Sequence, residues 1–199
     1  MARQPDPALE GRILNAARQL WKKGVGEALT MRAVAKAAGT NTPAVYRRFN
    51  RREDILRALW QRTREEIFQQ LETGSSVEEA CERYLDFALS HAHEYELYYL
   101  HEHELFSASA AVREAAPNRS ARRKRPAEEL MKAKLAAQLG GSPEDYTRLS
   151  LAIWALLHGT VMLLITKTIP TSYAAEMRSV CGTSIETLLL GESRLRVKK

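Results

Sequence analysis

At 199 residues, 45% of them hydrophobic, the chain can bury a real core in one or two small domains. Its net charge of +6 is unevenly spread, with 12 Lys/Arg against 5 Asp/Glu in residues 1–60 and 18 against 19 in the remainder, which is the footprint of phosphate binding by one part of the molecule rather than of a generally basic surface. There is no phosphate-cradling glycine loop, nucleophile elbow, His-Glu-x-x-His or Cys-x-x-Cys, so the common enzyme classes are excluded and no cofactor is called for.

Along the chain, Asp6 and Pro7 predict the cap and first residue of a helix running to about Lys23. Leu9, Ile13, Ala17, Leu20 and Trp21 form its apolar stripe, and Gly24 and Gly26 end it. Residues 30–49 then read as two short helices joined by a glycine turn. Thr30 caps the first helix and Asn41 or Thr42 the second, with Pro43 tolerated in its first turn. Gly39 supplies the left-handed residue of the turn, and Ala35 a close crossing. Met31, Val34, Ala38, Val45 and Phe49 hold the pair together. Tyr46, Arg47 and Arg48 are left for solvent. Such a helix-turn-helix unit places its second helix in the DNA major groove. By helical spacing Thr42, Ala44 and Arg47 are expected to face outward as base readers, with Thr40 and Asn41 at the helix start. Thr30 opens a helix whose free N–H groups favour an anion.

Several stretches together resemble the N-terminal domain of the tetracycline-repressor (TetR) family of bacterial regulators. They are Arg12-Ile13-Leu14-Asn15-Ala16-Ala17, Trp21-x-x-Gly24, Val34-Ala35-x-x-Ala38-Gly39 and Tyr46-x-x-Phe49-x-x-Arg52-x-x-Ile55-Leu56. The resemblance covers residues 8–68. It implies an all-α homodimer in which a three-helix DNA-binding domain is joined by a linking helix to a C-terminal effector-binding and dimerisation domain. It also implies that Tyr46 and Arg52 hold the DNA backbone. The chain departs from the family pattern at Pro43-Ala44-Val45-Tyr46 and at Arg51-Arg52, which bears on the operator sequence and not on the DNA-binding role.

A long helix is expected from Glu53 to about Thr73, then a break at Gly74-Ser75-Ser76, with Ser76 forming a capping box with Glu79. Further helices are expected at about 77–92, 94–107, 126–139, 143–167 and 172–190, with no strand and no repeat. The run Leu149–Ile165 is apolar almost all round and needs partners on several sides. It falls short of the roughly 20 residues that span a bilayer, so a buried helix and no membrane partner are expected. With the helix near 174–190 it should form the homodimer interface. Trp154-x-x-x-His158-Gly159 is similar to an element of one C-terminal subclass of the same family.

The expected organisation is a flexible N-terminus at 1–7, the DNA-binding domain at 8–68, the effector and dimerisation domain at 69–191 and a basic tail at 192–199. Family members hold a small-molecule effector among the helices between linker and dimer interface. Tyr84, Phe87, His91, Tyr98, Phe106 and Trp154 offer the apolar walls and hydrogen-bonding tips of such a pocket. The expected function is a DNA-binding repressor that binds an inverted-repeat operator and is released by a small, largely apolar ligand. Cys81 and Cys181, far apart and in no motif, with no signal peptide before them, read as reduced thiols of a cytoplasmic protein.

Four of the five histidines fall in residues 91–104, together with Glu94, Glu96, Glu102 and Glu104, which opens an alternative: a helical metal-binding protein or metal-dependent enzyme. No two of these histidines stand at the i, i+4 spacing that shares an ion, and a solvated polar face explains the segment as well. The cluster Arg119, Arg122, Arg123, Lys124 and Arg125 reads as an exposed basic loop.

Overall fold

The computed structural model describes residues 6, 8–23, 29–101, 105 and 126–197. Among these residues the regular elements are all helical: α1 (Leu9–Lys22), α2 (Met31–Ala37), α3 (Thr42–Tyr46), α4 (Arg52–Thr73), α5 (Val77–Ser90), α6 (Ala92–Leu100), α7 (Pro126–Leu139), α8 (Thr147–Ile165) and α9 (Ala174–Val197). The all-α expectation holds. The chain forms two compact units. One comprises residues through Arg64 with the segment from His93; the other comprises Glu65–Ala92 and the later helices. The expected division at 68/69 gave the segment from His93 to the second domain, whereas its contacts are with the first.

The first unit is built from local signals. Asp6 Oδ1 accepts the Ala8 N–H at 2.9 Å, so it caps the first turn although regular helix begins only at Leu9. Thr30 Oγ1 accepts from Ala33 N at 3.1 Å, and Asn41 Oδ1 from Ala44 N at 2.9 Å, each satisfying an otherwise orphaned donor. Gly39 sits at φ +63°, and the Thr40 N–H reaches back to Ala35 O at 3.0 Å, the six-to-one bond of a Schellman turn. Ile13, Ala17 and Trp21 of α1 bury against Val34, Ala35, Val45 and Phe49, and Ile55, Leu56, Leu59 and Trp60 of α4 close the same core.

Leu97 and Leu105 belong to that core too. Three head side chains donate to backbone carbonyls of the later segment: Trp21 Nε1 to His93 O, Trp60 Nε1 to Tyr98 O and Arg57 Nε to Leu105 O, each at 3.0 Å. A segment distant in sequence therefore completes the DNA-binding unit.

In the second unit α7 clamps the junction of α4 and α5. Lys134 Nζ donates to Glu72 O at 3.1 Å and Gly74 O at 2.6 Å, serving carbonyls that the end of α4 leaves open. Gln138 Oε1 accepts the first N–H of α5 from Val77 at 2.8 Å. Any Cβ on Gly74 would lie 2.5 Å from Ala80 N, so the break demands glycine. Ser76 Oγ accepts from Glu79 N as expected, but the Glu79 carboxylate turns to the N–H and hydroxyl of Ser75 rather than closing the box on Ser76. With Ser75 and then Arg83 as donors, that carboxyl falls to about 2.

Two expectations about the C-terminal helices need correction. No breaker follows Leu190, since a single Gly191 is tolerated within a helix. Consequently α9 continues to Val197, where a basic tail from 192 had been expected. The helix expected at 143–167 is found at Pro143–Ile165; its 23 residues include an 18-residue window of mean hydropathy 1.7, enough by length and composition to cross a membrane, where the run Leu149–Ile165 alone had been read as too short. That test is also passed by core helices of water-soluble proteins. Here Ile153, Leu157 and Val161 pack into the second unit, while 39% of the apolar window is buried within one chain.

A Cβ on Gly39 would meet nothing within 4 Å, so the cost of a side chain there is the left-handed backbone alone. Gly39→Ala should lower the stability of the head by about 1–2 kcal/mol. Chemical denaturation that showed no loss would overturn this account of the turn.

Candidate nucleic-acid interface

Between Ala28 and Arg52 there is not one acidic residue, while Arg32, Lys36, Arg47, Arg48, Arg51 and Arg52 all lie there. A surface of one sign concentrates potential and is matched to a polyanion. On α3 and its exit, Tyr46 is 50% exposed, and Arg47 and Arg48 are exposed. Asn41 and Thr30 are exposed, and Thr40 and Thr42 half-buried. Capping uses only acceptor lone pairs of Thr30 and Asn41, which leaves the hydroxyl proton of one and the amide protons of the other for DNA oxygens or bases.

The flanking cations are held in place. Arg48 Nη2 donates to Asp6 O at 3.3 Å, and Asp6 in turn pairs with Arg12 at 2.8 Å. Arg51 lies 3.6 Å from Asp54 and Arg52 3.9 Å from Glu53, so both guanidinia stand over the acidic first turn of α4. Arg32 and Lys36, one turn apart on α2 and exposed, were not singled out from the sequence. The acid-free window was the signal that could have found them.

Ala44 corrects the sequence reading. It was expected to face outward as a base reader, yet it is 4% exposed and belongs to the head core. The reason is local. Residues 44 and 45 are adjacent in a five-residue helix that lies against α2, and both must be buried to hold it.

The expected effector residues are divided. Tyr84 and Phe87 are buried on α5. His91 follows them, its ring stacked on Phe87 at 4.5 Å, with Nδ1 3.1 Å from Phe87 O and 2.9 Å from Ser90 Oγ. These three lie in the second unit, whereas Tyr98 lies in the first, stacked on Trp60 at 5.0 Å. Phe106 falls outside the described residues. Trp154 is 44% exposed on α8 and stacks on His158 at 5.5 Å, so it is a surface side chain rather than a buried wall. Burial lowers the pKa of His158.

The segment of histidines and glutamates is dispersed among separate partners. Glu94 pairs with Arg18 and Lys22, His93 lies 3.5 Å from Glu96, and His101 meets the edge of Trp21. Among the described residues no three potential metal ligands come together. Glu102, His103 and Glu104 lie outside those residues, as does the 119–125 basic cluster. Burial pushes the Cys81 thiol up to about 12, with Cys181 adding to the shift, which suppresses the reactive thiolate.

A capped helix-turn-helix with a cationic exposed face, carried on an all-helical body, defines a DNA-binding transcriptional regulator. Two family models confirm the class: "Bacterial regulatory proteins, tetR family" matches residues 13–59, and "Tetracyclin repressor-like, C-terminal domain" matches residues 77–180. The chain belongs to the tetR family of bacterial regulatory proteins, whose members are not enzymes. Its fold is shared with the crystal structure of the regulatory-protein candidate SCO4313, at 16% identity and TM-score 0.66, covering 91% of this chain and 95% of that one. It is also shared with a protein of unknown function from Rhodococcus sp. RHA1, at 19% identity and TM-score 0.65, covering 96% and 98%. No curated protein matches the chain in sequence.

Because Ala44 packs inward, Ala44→Leu should overfill the head core at a cost of about 1–3 kcal/mol. It should weaken binding to every DNA sequence alike. A variant of unchanged stability with altered base preference would restore Ala44 as a reader.

Proposed function

We propose that this regulator is a cytoplasmic repressor that binds an inverted-repeat operator as a homodimer and is released by a small, largely apolar ligand. The observation that carries the DNA half of this reading is the capped α3 with exposed Tyr46, Arg47 and Arg48 inside an acid-free stretch of six cations. Arg47 and Thr42, with Thr40 and Asn41, are the proposed base readers. Thr30, Tyr46, Arg48 and Arg52 are the proposed phosphate contacts.

Dimerisation is supported by apolar side chains that one chain leaves exposed on its last two helices. Leu151 and Trp154 on α8, and Val180, Leu190 and Leu195 on α9, are between 40% and 63% exposed. Large apolar patches of this kind mark association surfaces, and a second copy meeting them about a two-fold axis would bury both sets. Leu157 and Leu164 of the same helix face the chain's own core. Charges placed there would test folding, so the dimer is tested at Trp154 and Leu190.

The ligand is proposed to bind beside Tyr84, Phe87 and His91, which combine an apolar wall with a ring nitrogen and a hydroxyl. Release requires that the ligand prefer a body conformation whose heads no longer match both half-sites, since equal affinity for both states shifts nothing.

DNA upstream of the protein's own coding region, in a gel shift across a salt series, tests the central claim. Wild type should form a complex that weakens steeply with salt. Arg52→Ala should lower the salt slope by about one on any sequence, as one released counterion predicts. Arg47→Ala should cost about 1–3 kcal/mol chiefly on the preferred sequence. No salt-sensitive complex would overturn the reading, and equal losses on all sequences would reassign Arg47 to phosphate.

Sedimentation tests the interface. Trp154→Glu with Leu190→Glu should give a folded monomer at micromolar concentration where wild type is dimeric. A doubly substituted chain that stays dimeric would move the interface elsewhere.

A further inference from the structure

Tyr84, Phe87 and His91 follow one another at helical spacing, so they share a face at the C-terminal end of α5. Tyr84 is 2% and Phe87 8% exposed, and the His91 ring lies nearly parallel to that of Phe87, at 14°. Of the three side chains only the imidazole is half-buried rather than buried. The state of its two nitrogens therefore bears most on what this face can bind.

The surroundings place the proton of the ring. Nδ1 lies 3.1 Å from Phe87 O and 2.9 Å from Ser90 Oγ. A carbonyl oxygen can only accept. The Ser90 hydroxyl has one proton, and the backbone takes it: Oγ donates to Asp86 O at 2.6 Å, with Phe87 O next at 3.1 Å. Both neighbours thus turn lone pairs toward Nδ1, which must carry the proton and donate. In the neutral ring Nε2 is then a bare acceptor. Among the described residues no hydrogen bond reaches Nε2, nor is it one of the partnerless side-chain atoms sealed from solvent. It is open to a molecule that brings a donor.

We infer that His91 Nε2 accepts a hydrogen bond from the effector, which makes the effector an uncharged, largely apolar molecule with an O–H or N–H donor, phenols being the simplest class. This inference rests on the proposed ligand site beside Tyr84, Phe87 and His91 and narrows what enters it. An ether oxygen or a carboxylate would meet the Nε2 lone pair with one of its own. A charge of either sign would also give up hydration against the apolar side chains of α5. Because the backbone fixes the tautomer in advance, no proton has to move when the donor arrives.

Three probes of similar size separate the cases: β-naphthol, which carries a donor, its methyl ether, which carries only an acceptor, and β-naphthoate, an anion. Each is titrated calorimetrically into the full-length protein. Naphthol should bind about 3- to 10-fold more tightly than the ether, the range that one net hydrogen bond supplies, and naphthoate should bind weakest. His91→Phe keeps an aromatic ring beside Phe87 and should bring naphthol and ether to equal affinity. The nitrogen NMR spectrum of the wild-type imidazole should show Nδ1 protonated and Nε2 bare, with the Nε2 signal moving on addition of naphthol and not of the ether. That measurement needs no substitution, so it decides the matter even where His91→Phe does not fold.

Equal affinity for naphthol and ether in wild type, a ring protonated on Nε2 and bare on Nδ1, or naphthoate as the tightest binder would each overturn the inference while leaving a ligand site at this face. A preference for naphthol that survives His91→Phe would do the same, since another acceptor would then take the donor. If no probe binds, the inference falls and the proposed ligand site falls with it. Naphthol that binds as expected but leaves the protein–DNA complex intact in the gel shift would uphold the inference and overturn ligand-controlled release instead.

Discussion

A recognition helix of five residues cannot sustain itself. One turn of helix fixes many backbone angles for a single hydrogen bond, so α3 exists only because other parts of the chain hold it. Its first N–H groups are served by Asn41, its approach is set by the left-handed turn at Gly39, and Ala44, Val45 and Phe49 anchor it in the core. Everything that supports that core therefore bears on how DNA is read. This includes α1, the first half of α4 and, less obviously, residues 93–101 with Leu105. The small side chains of the turn follow from the same constraint, since α2 and α3 must cross closely enough for so few residues to bury them.

The same economy separates the roles of exposed and buried groups. Thr30 and Asn41 spend their acceptors on the backbone and keep donors for a polyanion, so fold and interface draw on the same side chains without competing. In the second unit the apolar surface is larger than one chain can bury. Ile153, Leu157 and Val161 turn inward and Leu151 and Trp154 outward, which makes α8 at once a core helix and a surface that favours a partner. The burial of Cys81, by contrast, disfavours its thiolate.

Much of this was legible in the residues. The caps at Thr30, Asn41 and Ser76, the turn at Gly39 and the break at Gly74 are local signals, decided within four or five residues of themselves, and each appears where the sequence put it. Errors arose where a position depended on neighbours distant in sequence. Ala44 is small enough to be read as a surface residue or as a contact point, and only the packing of α3 on α2 selects the second. Trp154 and Leu157 sit three apart on one apolar helix, and periodicity alone gave no sign that one faces the core and the other solvent.

By itself the sequence determined the class of protein: an all-helical tetR-family regulator whose N-terminal basicity, capped glycine turn and Tyr46-x-x-Phe49 pattern mark a DNA-binding head. Local backbone preferences and charge do not require tertiary contacts to be read. Only the tertiary structure decided what belongs to that head. Residues 93–101 and Leu105 join it because Trp21, Trp60 and Arg57 find carbonyl partners there, and because Glu94 finds its counter-charges on α1. Read as a string, the same residues are a polar face rich in histidine and glutamate. Their partners stand 38 to 76 positions away, and no periodicity within a helix encodes a pairing across that distance.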